Sequence, residues 1–409
     1  MFFESTKIMK IIKSITYISI LSMGLFSCQK STQKILPTVQ KIKTKTGSFL
    51  EMQPNPMADL PKLSNTDLQS KQQLIFDFYN KNWKNKMNGS FLVAQNGQII
   101  FEKYDGFADY ELQKSITPQT PLHIASVSKV LTATLILKLI DQKKLALDQK
   151  VNTLFNLFPY PEITIKTLLN HRSGLRNYAY FTAEKGIWDK HKILTNQDIL
   201  DILIHKNIQL EFPTDSRFSY CNTNYALLAL VIEKITGLTY ADAMNKMLFK
   251  PLQMKNTYVF DYQKDKDTAT PSYKGNFRKV GLDYLDGIYG DKNIFSTPRD
   301  LLQLDLARRS PNFVHQNLQE AIYRGYSYEN RGAKNYGLGI RMIEWTTGET
   351  PFYFHNGWWH GSTSSFITLG KENVTIISLS NKFNHETYKV KYIATYFGDY
   401  PFKIKDSLE

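Results

Sequence analysis

A hydroxyl and an amine stand three residues apart in Ser126-Val127-Ser128-Lys129, at the head of the apolar run SVSKVLTATLILKLI. On a helix that step brings both side chains to one face. A serine hydroxyl is a poor nucleophile at neutral pH, so covalent attack through Ser126 needs a proton acceptor beside it. A lysine can serve when burial and neighbouring cations favour its neutral form, and Lys129 lies in an apolar setting. The string alone has little specificity, since Ser31-Thr32-Gln33-Lys34 repeats it. Context separates the two copies: at Ser126 an extended approach, PLHIA, meets a helix whose first backbone N–H groups are unpaired and can bind an oxyanion. Ninety-four residues further on, Tyr220-Cys221-Asn222 offers a phenol as a second candidate base and an amide, immediately before another long apolar run. After 135 more, His355-Asn356-Gly357 lies in YFHNGWWHGSTSSFITL, where glycine lets a substrate backbone come close.

The patterning predicts the elements that must carry these groups. Ser126 to Ile140 is apolar on nearly every face and reads as a central, buried helix. An amphipathic helix is expected over 66–86, capped by Asn65 or Thr66. Strands over 90–95 and 98–104 flank Asn96-Gly97, a pair suited to a tight primed turn. Between about 145 and 285 the signals are helical, notably Asp198 to Ile204 and Tyr225 to Leu248. Strand signals return at Phe352 to Phe354, Ser364 to Leu369 and Thr375 to Leu379, before a last amphipathic segment from Glu386 to Tyr396. The expected fold class is therefore α/β, with a sheet lobe over 66–125 and 290–400 and a mostly helical lobe over 126–289.

Length and composition fit such an enzyme-sized body. The 409 residues are 42% apolar and 22% charged, a globular mixture that excludes collagen-like and wholly disordered readings. The net charge of +14 suits anionic lipid, an acidic polymer or nucleic acid. Residues 1–27 carry Lys7, Lys10 and Lys13, then the run Ile15 to Phe26, which is too short to span a membrane and reads as a secretory signal. Leu25-Phe26-Ser27-Cys28 resembles a bacterial lipobox, which implies cleavage before Cys28 and acylation of its thiol. Residues 28–65 then form a flexible tether, and the protein is expected outside the cytoplasm, held on a membrane, facing the periplasm. Export argues against a nucleic-acid partner. With Cys28 at the processing site, Cys221 has no disulfide partner. The chain contains no internal repeat, no phosphate-binding glycine loop and no His-Glu-x-x-His pair.

With its three strings in order, the chain resembles the serine β-lactamase and penicillin-binding protein superfamily, in its class C β-lactamase, DD-peptidase and esterase branch. ITIKTLLNHRSGL (163–175), KPLQMKNT (250–257), GDKNIFSTPRDL (290–301) and YGLGI (336–340) extend the likeness over about residues 66–400. The resemblance implies a β-lactamase-like fold, an antiparallel sheet flanked by N- and C-terminal helices plus the helical lobe. It implies that Ser126 is acylated, that Lys129 and Tyr220 share the proton transfers, and that Asn222 orients a substrate amide. His355 and Gly357 would edge the site, and the backbone N–H groups of Ser126 and Trp358 would form the oxyanion hole. No metal or organic cofactor is implied. The expected substrate is an ester or amide, with the D-Ala peptide of peptidoglycan among the candidates.

Two departures bear on this. Class C β-lactamases carry Lys-Thr-Gly where this chain has His-Asn-Gly, and an imidazole of pKa ~6.5 attracts a carboxylate less than an ammonium does. β-Lactam hydrolysis is thus the alternative rather than the first reading; a non-catalytic cell-wall-binding lipoprotein is another. Asn293 stands where relatives often have glycine, and asparagine tolerates left-handed backbone. His171, His123 and His360 read as structural or rim residues and Cys221 as a buried filler. Trp358 and Trp359 should point to opposite faces of a strand, so at most one lines the site and the other packs the core.

Overall fold

Asn96 and Gly97 both take positive φ, 52° and 73°, and the tight turn they make folds β1 (Gly89–Gln95) onto β2 (Gln98–Asp105) as an antiparallel hairpin. The protein is described here by a computed structural model, which covers residues 60–84, 86–329, 332–345 and 352–402. The signal segment 1–27, Cys28, most of the tether, Ser31-Thr32-Gln33-Lys34 and the other tether strings lie outside the described residues. Residues 60–64, read above as the end of the tether, are tied to the hairpin: the Pro61 carbonyl accepts from Asn96, and Leu63 N–H donates to the Gln98 side chain.

The chain's last strands complete the sheet. They are β3 (Lys334–Tyr336), β4 (Arg341–Ile343), β5 (Phe352–Trp359), β6 (Ser362–Leu369) and β7 (Val374–Ser380). The order is β3-β4-β5-β6-β7-β1-β2, with every pairing antiparallel. Both chain ends therefore build one sheet, as the alternation predicted. The strand expected over Phe352 to Phe354 runs on to Trp359, so His355, Asn356 and Gly357 lie within it.

Successive residues of β1 serve opposite faces, and both faces are covered. Phe91 and Val93 pack with Ile75, Phe78 and Trp83, while Leu92 and Ala94 join the core beneath the helical lobe. Full burial of such side chains contributes roughly 1.5–3 kcal/mol each. The outer face is covered by α1 (Asn65–Asn82) and by the 3₁₀ segment Glu386–Tyr396. The cap of α1 is Ser64, whose side chain accepts from Asp67 N–H, one residue before the positions expected. The helix also stops short of residue 86, because Trp83 leaves it to bury its ring 4.7 Å from Phe91 and to donate its indole N–H to the Glu386 carbonyl.

On the inner face, α2 (Ser128–Asp141) is buried from Ser128 to Leu139, the burial that its all-round apolar pattern requires. Ser126 precedes it in a one-turn 3₁₀ segment, Ala125–Val127, rather than opening the α-helix itself. In the helical lobe α3 (Asn196–His205) and α4 (Asn222–Thr236) pack together. The single run expected from Tyr225 to Leu248 is broken, because Gly237 ends α4 in a left-handed cap at φ 68° and Thr239 caps a new helix, α5 (Tyr240–Met244). This helix continues as a π-helical turn, Asn245–Phe249. The sheet and these helices lie within one unit, Phe49–Glu409.

Candidate active site

The 3₁₀ turn before α2 presents Ser126 half-buried while Lys129, one turn on, is fully buried. The Lys129 ammonium donates to Ser126 Oγ at 3.1 Å and to the Asp291 carbonyl at 2.8 Å. Ala125, beside the serine, is held at φ 47°, a strained conformation of the kind that clusters at functional sites.

Tyr220 comes from the loop that leads into α4. Its ring lies 5.1 Å from the Lys129 ammonium and 4.5 Å from the Arg341 guanidinium, so two cations flank the phenol. It approaches Lys129 through its ring rather than through a hydrogen bond of its hydroxyl. Asn222 opens α4, and its buried Oδ1 has no hydrogen-bond partner among the described residues. A buried acceptor without a donor is costly, and a substrate N–H would satisfy it.

β5 closes the third side. A Cβ on Gly357 would stand 2.9 Å from Ser126 N and 2.6 Å from the Ile124 carbonyl oxygen, so only glycine lets this strand lie against the nucleophile's backbone. His355 was expected at the edge of the site, but its ring is fully buried. Nδ1 donates to the Asn356 carbonyl at 2.9 Å, which leaves Nε2 to accept from the Tyr336 hydroxyl at 3.2 Å. Burial, then the nearby Arg341 and Lys129, hold the imidazole well below its usual pKa. His355 is thus neutral and supports Tyr336 from behind. Trp358 and Trp359 diverge as the pleat requires: Trp358 is 61% exposed, while half-buried Trp359 packs against the main core and donates to Asp286 at 2.7 Å. Trp358 stays open because this half of the strand extends past β4, which pairs only with Phe352 to Phe354.

The structure thus brings Ser126, Lys129, Tyr220, His355 and Gly357 together, with Asn222 two residues after Tyr220 at the head of α4, and leaves the Trp358 ring at the rim. It adds groups that the strings did not announce. Arg341 directly follows YGLGI and contributes a cation with no acidic partner among the described residues. Tyr336, within that same string, joins His355 to the Tyr220 side, its ring 6.4 Å from that of Tyr220. A cavity of about 580 Å³ opens beside Tyr336 and Arg341, lined also by Phe218, Glu329 and Trp345, within the size range of ligand sites; Ser126, Lys129 and Tyr220 are not in its lining. Behind Lys129, Tyr178 donates to the Asp291 carboxylate at 2.7 Å and receives a bond from the buried Lys292 at 2.9 Å. The signal for this pair was the charged dipeptide Asp291-Lys292 at the head of GDKNIFSTPRDL.

His123 and His360 are structural in contact. Nδ1 of His123 accepts from Ala125 N–H, which puts the proton on Nε2, and Nε2 donates to Asn293 Oδ1 at 3.0 Å; Asn293 has φ 67°, the left-handed turn expected of it. His360 bonds the Asp286 carboxylate, which also accepts from Trp359 and from Asp283 N–H. Asp283, Asp286 and His360 lie close enough to hold an ion, but these bonds use the Asp286 oxygens to fasten the turn after β5. Cys221 is buried, and burial pushes its thiol up to about 11, which leaves it unreactive near neutral pH.

Burial holds the His123 imidazole down at about 4, which its bond to Asn293 offsets only in part. Above the ordinary value of 6.5 the ring is neutral in both folded and unfolded chains. As pH falls from there to about 4, only the unfolded chain takes up the proton, so stability declines through that window, by on the order of 3 kcal/mol. Denaturant unfolding near pH 7 and near pH 4 is expected to show a smaller acid loss in His123→Gln than in the wild type. An equal loss in both would remove His123 from the cause.

Comparisons with known proteins bear on the family and the fold. A family model described as Beta-lactamase matches residues 81–395. Penicillin-binding protein 4* of Bacillus subtilis is 31% identical over 326 residues, which span 75% of this chain and 70% of that protein. A D-aminopeptidase of Brucella canis is 27% identical over 303 residues, 72% of this chain but only 56% of the relative. Among solved structures, a penicillin-binding protein from Bacillus halodurans superposes with a TM-score of 0.68 at 22% identity, covering 80% of this chain and 99% of that one. A D-amino acid amidase from Ochrobactrum anthropi SV3 gives 0.61 at 22% identity, covering 80% and 96%. At that identity the two structures speak to fold alone, and the fold is the β-lactamase-like one.

Proposed function

The chain belongs to the beta-lactamase family, and on that footing we propose that it is a serine hydrolase that cleaves an ester or amide through an acyl-Ser126 intermediate. The observation that carries the reading is the 3.1 Å separation between the buried Lys129 Nζ and Ser126 Oγ. In the first half-reaction Ser126 Oγ bonds to the substrate carbonyl carbon, and its proton passes to the Lys129 and Tyr220 pair, which enters the step with one member deprotonated, a neutral amine or a phenolate. Negative charge then develops on the carbonyl oxygen, where the backbone N–H groups of Ser126 and Trp358 would receive it. Collapse breaks the bond to the amine or alcohol, which leaves with that proton. Water repeats the sequence on the acyl-enzyme and frees the acid.

The substrate class we favour is an amide or ester next to a D-configured residue, with D-Ala peptides of peptidoglycan foremost. Support comes from the D-aminopeptidase and penicillin-binding relatives, and from the Arg341 cation beside Tyr220, which has no acidic partner among the described residues and can hold a carboxylate. Neutral His355, in place of a lysine, argues against efficient β-lactam turnover. Purified protein is expected to release D-Ala from a D-Ala-D-Ala peptide, or ammonia from a D-amino acid amide, at many turnovers per molecule. A chromogenic cephalosporin should instead acylate it once, slowly. Rapid cephalosporin turnover with inert D-amides would replace this reading with the β-lactamase one.

We further propose that the enzyme works outside the cytoplasm, anchored by lipid on Cys28. Cys28→Ser is expected to move it out of the membrane fraction, and its retention there would refute the anchor.

A further inference from the structure

His171 is a buried group that the proposed chemistry does not use, and three features of its placement converge on Tyr220. First, it is held at φ 59°, in the left-handed region that few non-glycine residues occupy, histidine, asparagine and aspartate more readily than most. Second, it binds the chain on both sides of the phenol: its carbonyl accepts from Ser219 N–H at 3.0 Å, and its ring Nδ1 accepts from Cys221 N–H at 3.2 Å. Third, its ring backs the phenol itself, with centroids 4.4 Å apart.

The ring is fixed in turn. Asn224 donates to the same Nδ1 at 3.2 Å and is oriented by Ser173, which donates to its carbonyl oxygen at 2.6 Å. Two donors on Nδ1 put the ring proton on Nε2. That buried nitrogen has no hydrogen-bond partner among the described residues. Lys129, Arg341 and His355 all face the ring, and burial above all keeps it neutral, so Nδ1 stays available as an acceptor. A side chain chosen only to fill space would not carry a buried, unsatisfied N–H.

We propose that His171 is a positioning residue for Tyr220, clamping residues 219 and 221 so that the phenol faces Lys129 and Ser126. This role rests on the assignment of Tyr220 as a proton-transfer partner. Asparagine is its conservative substitute, since Oδ1 can stand where Nδ1 does and asparagine tolerates positive φ. Glycine tolerates the backbone but removes the clamp.

The test is the rate at which a fluorophosphonate labels Ser126, read by intact mass on the full-length protein, with melting temperature recorded for each variant. His171→Gly should label roughly tenfold more slowly or worse, the scale expected when a reacting group is misplaced by a fraction of an ångström to one ångström. His171→Asn should stay within roughly threefold of wild type on the same scale. In a Tyr220→Phe background His171→Gly should cause no further slowing. Asn224→Ala, which removes one of the bonds that hold the ring, gives a milder second probe. It should slow labelling only while Tyr220 is present, and it decides the question if the glycine variant does not fold. Wild-type rates in both clamp variants, failure of asparagine to rescue, or a full additional loss in the Tyr220→Phe background would each overturn the proposal. Wild-type labelling of Tyr220→Phe alone would instead strike the parent assignment.

Discussion

Lys129→Ala is expected to lower the rate of Ser126 acylation by about 10² or more, and Tyr220→Phe by a similar factor, the usual contribution of a positioned proton acceptor. The lysine comes first because its bond to the nucleophile is direct, 3.1 Å, and because its second bond, to the Asp291 carbonyl, fixes where the nitrogen sits. The phenol acts from the other side, between two cations. Stopped-flow acylation by a β-lactam or an activated ester separates this step from deacylation. Both variants should retain the wild-type melting temperature within a few degrees if the groups serve chemistry and not packing. Near-wild-type acylation in both would make the base assignment untenable.

Gly357→Ala is the second large effect expected. Its added methyl would meet Ser126 N at 2.9 Å and the Ile124 carbonyl oxygen at 2.6 Å, both backbone atoms that cannot swing aside. Either β5 retreats from the 3₁₀ turn or the turn moves, and Ser126 loses its register with the strand. A displacement of about 1 Å costs on the order of 10² in rate, so acylation should fall by that order even where the variant folds. The change should appear in the rate constant of acylation at saturating substrate. Unaltered acylation would mean that the strand does not set the nucleophile's position.

Much of this arrangement was legible in the residue pattern, for physical reasons that differ by element. Asn96-Gly97 announced its turn because few other pairs accept two positive φ values. The run after Ser126 announced burial because no face of it could meet water. Serine, lysine, tyrosine and the glycine of β5 stood out because their chemistry is unusual beside helices and strands. Arg341 and Tyr336 did not, since a charged or aromatic residue on a three-residue strand has no signature until the sheet order places β4 beside β5 and β3 next to β4. The break at Gly237 was masked by the apolar runs on either side. His355 was readable as a strand residue but not as a buried one, because its burial depends on Tyr336, nineteen residues earlier in the chain. His171 looked like a loop residue, and only the fold shows that its neighbours are the two residues around Tyr220.

The central claim is that a single hydroxyl, Ser126, becomes covalently attached to substrate. Intact-mass analysis after exposure to a fluorophosphonate, and separately to penicillin, tests it most directly. The expected result is one adduct per chain with each reagent, mapped to the peptide containing Ser126 and absent from Ser126→Ala. An unmodified wild-type chain, or an adduct that survives in Ser126→Ala, would contradict it.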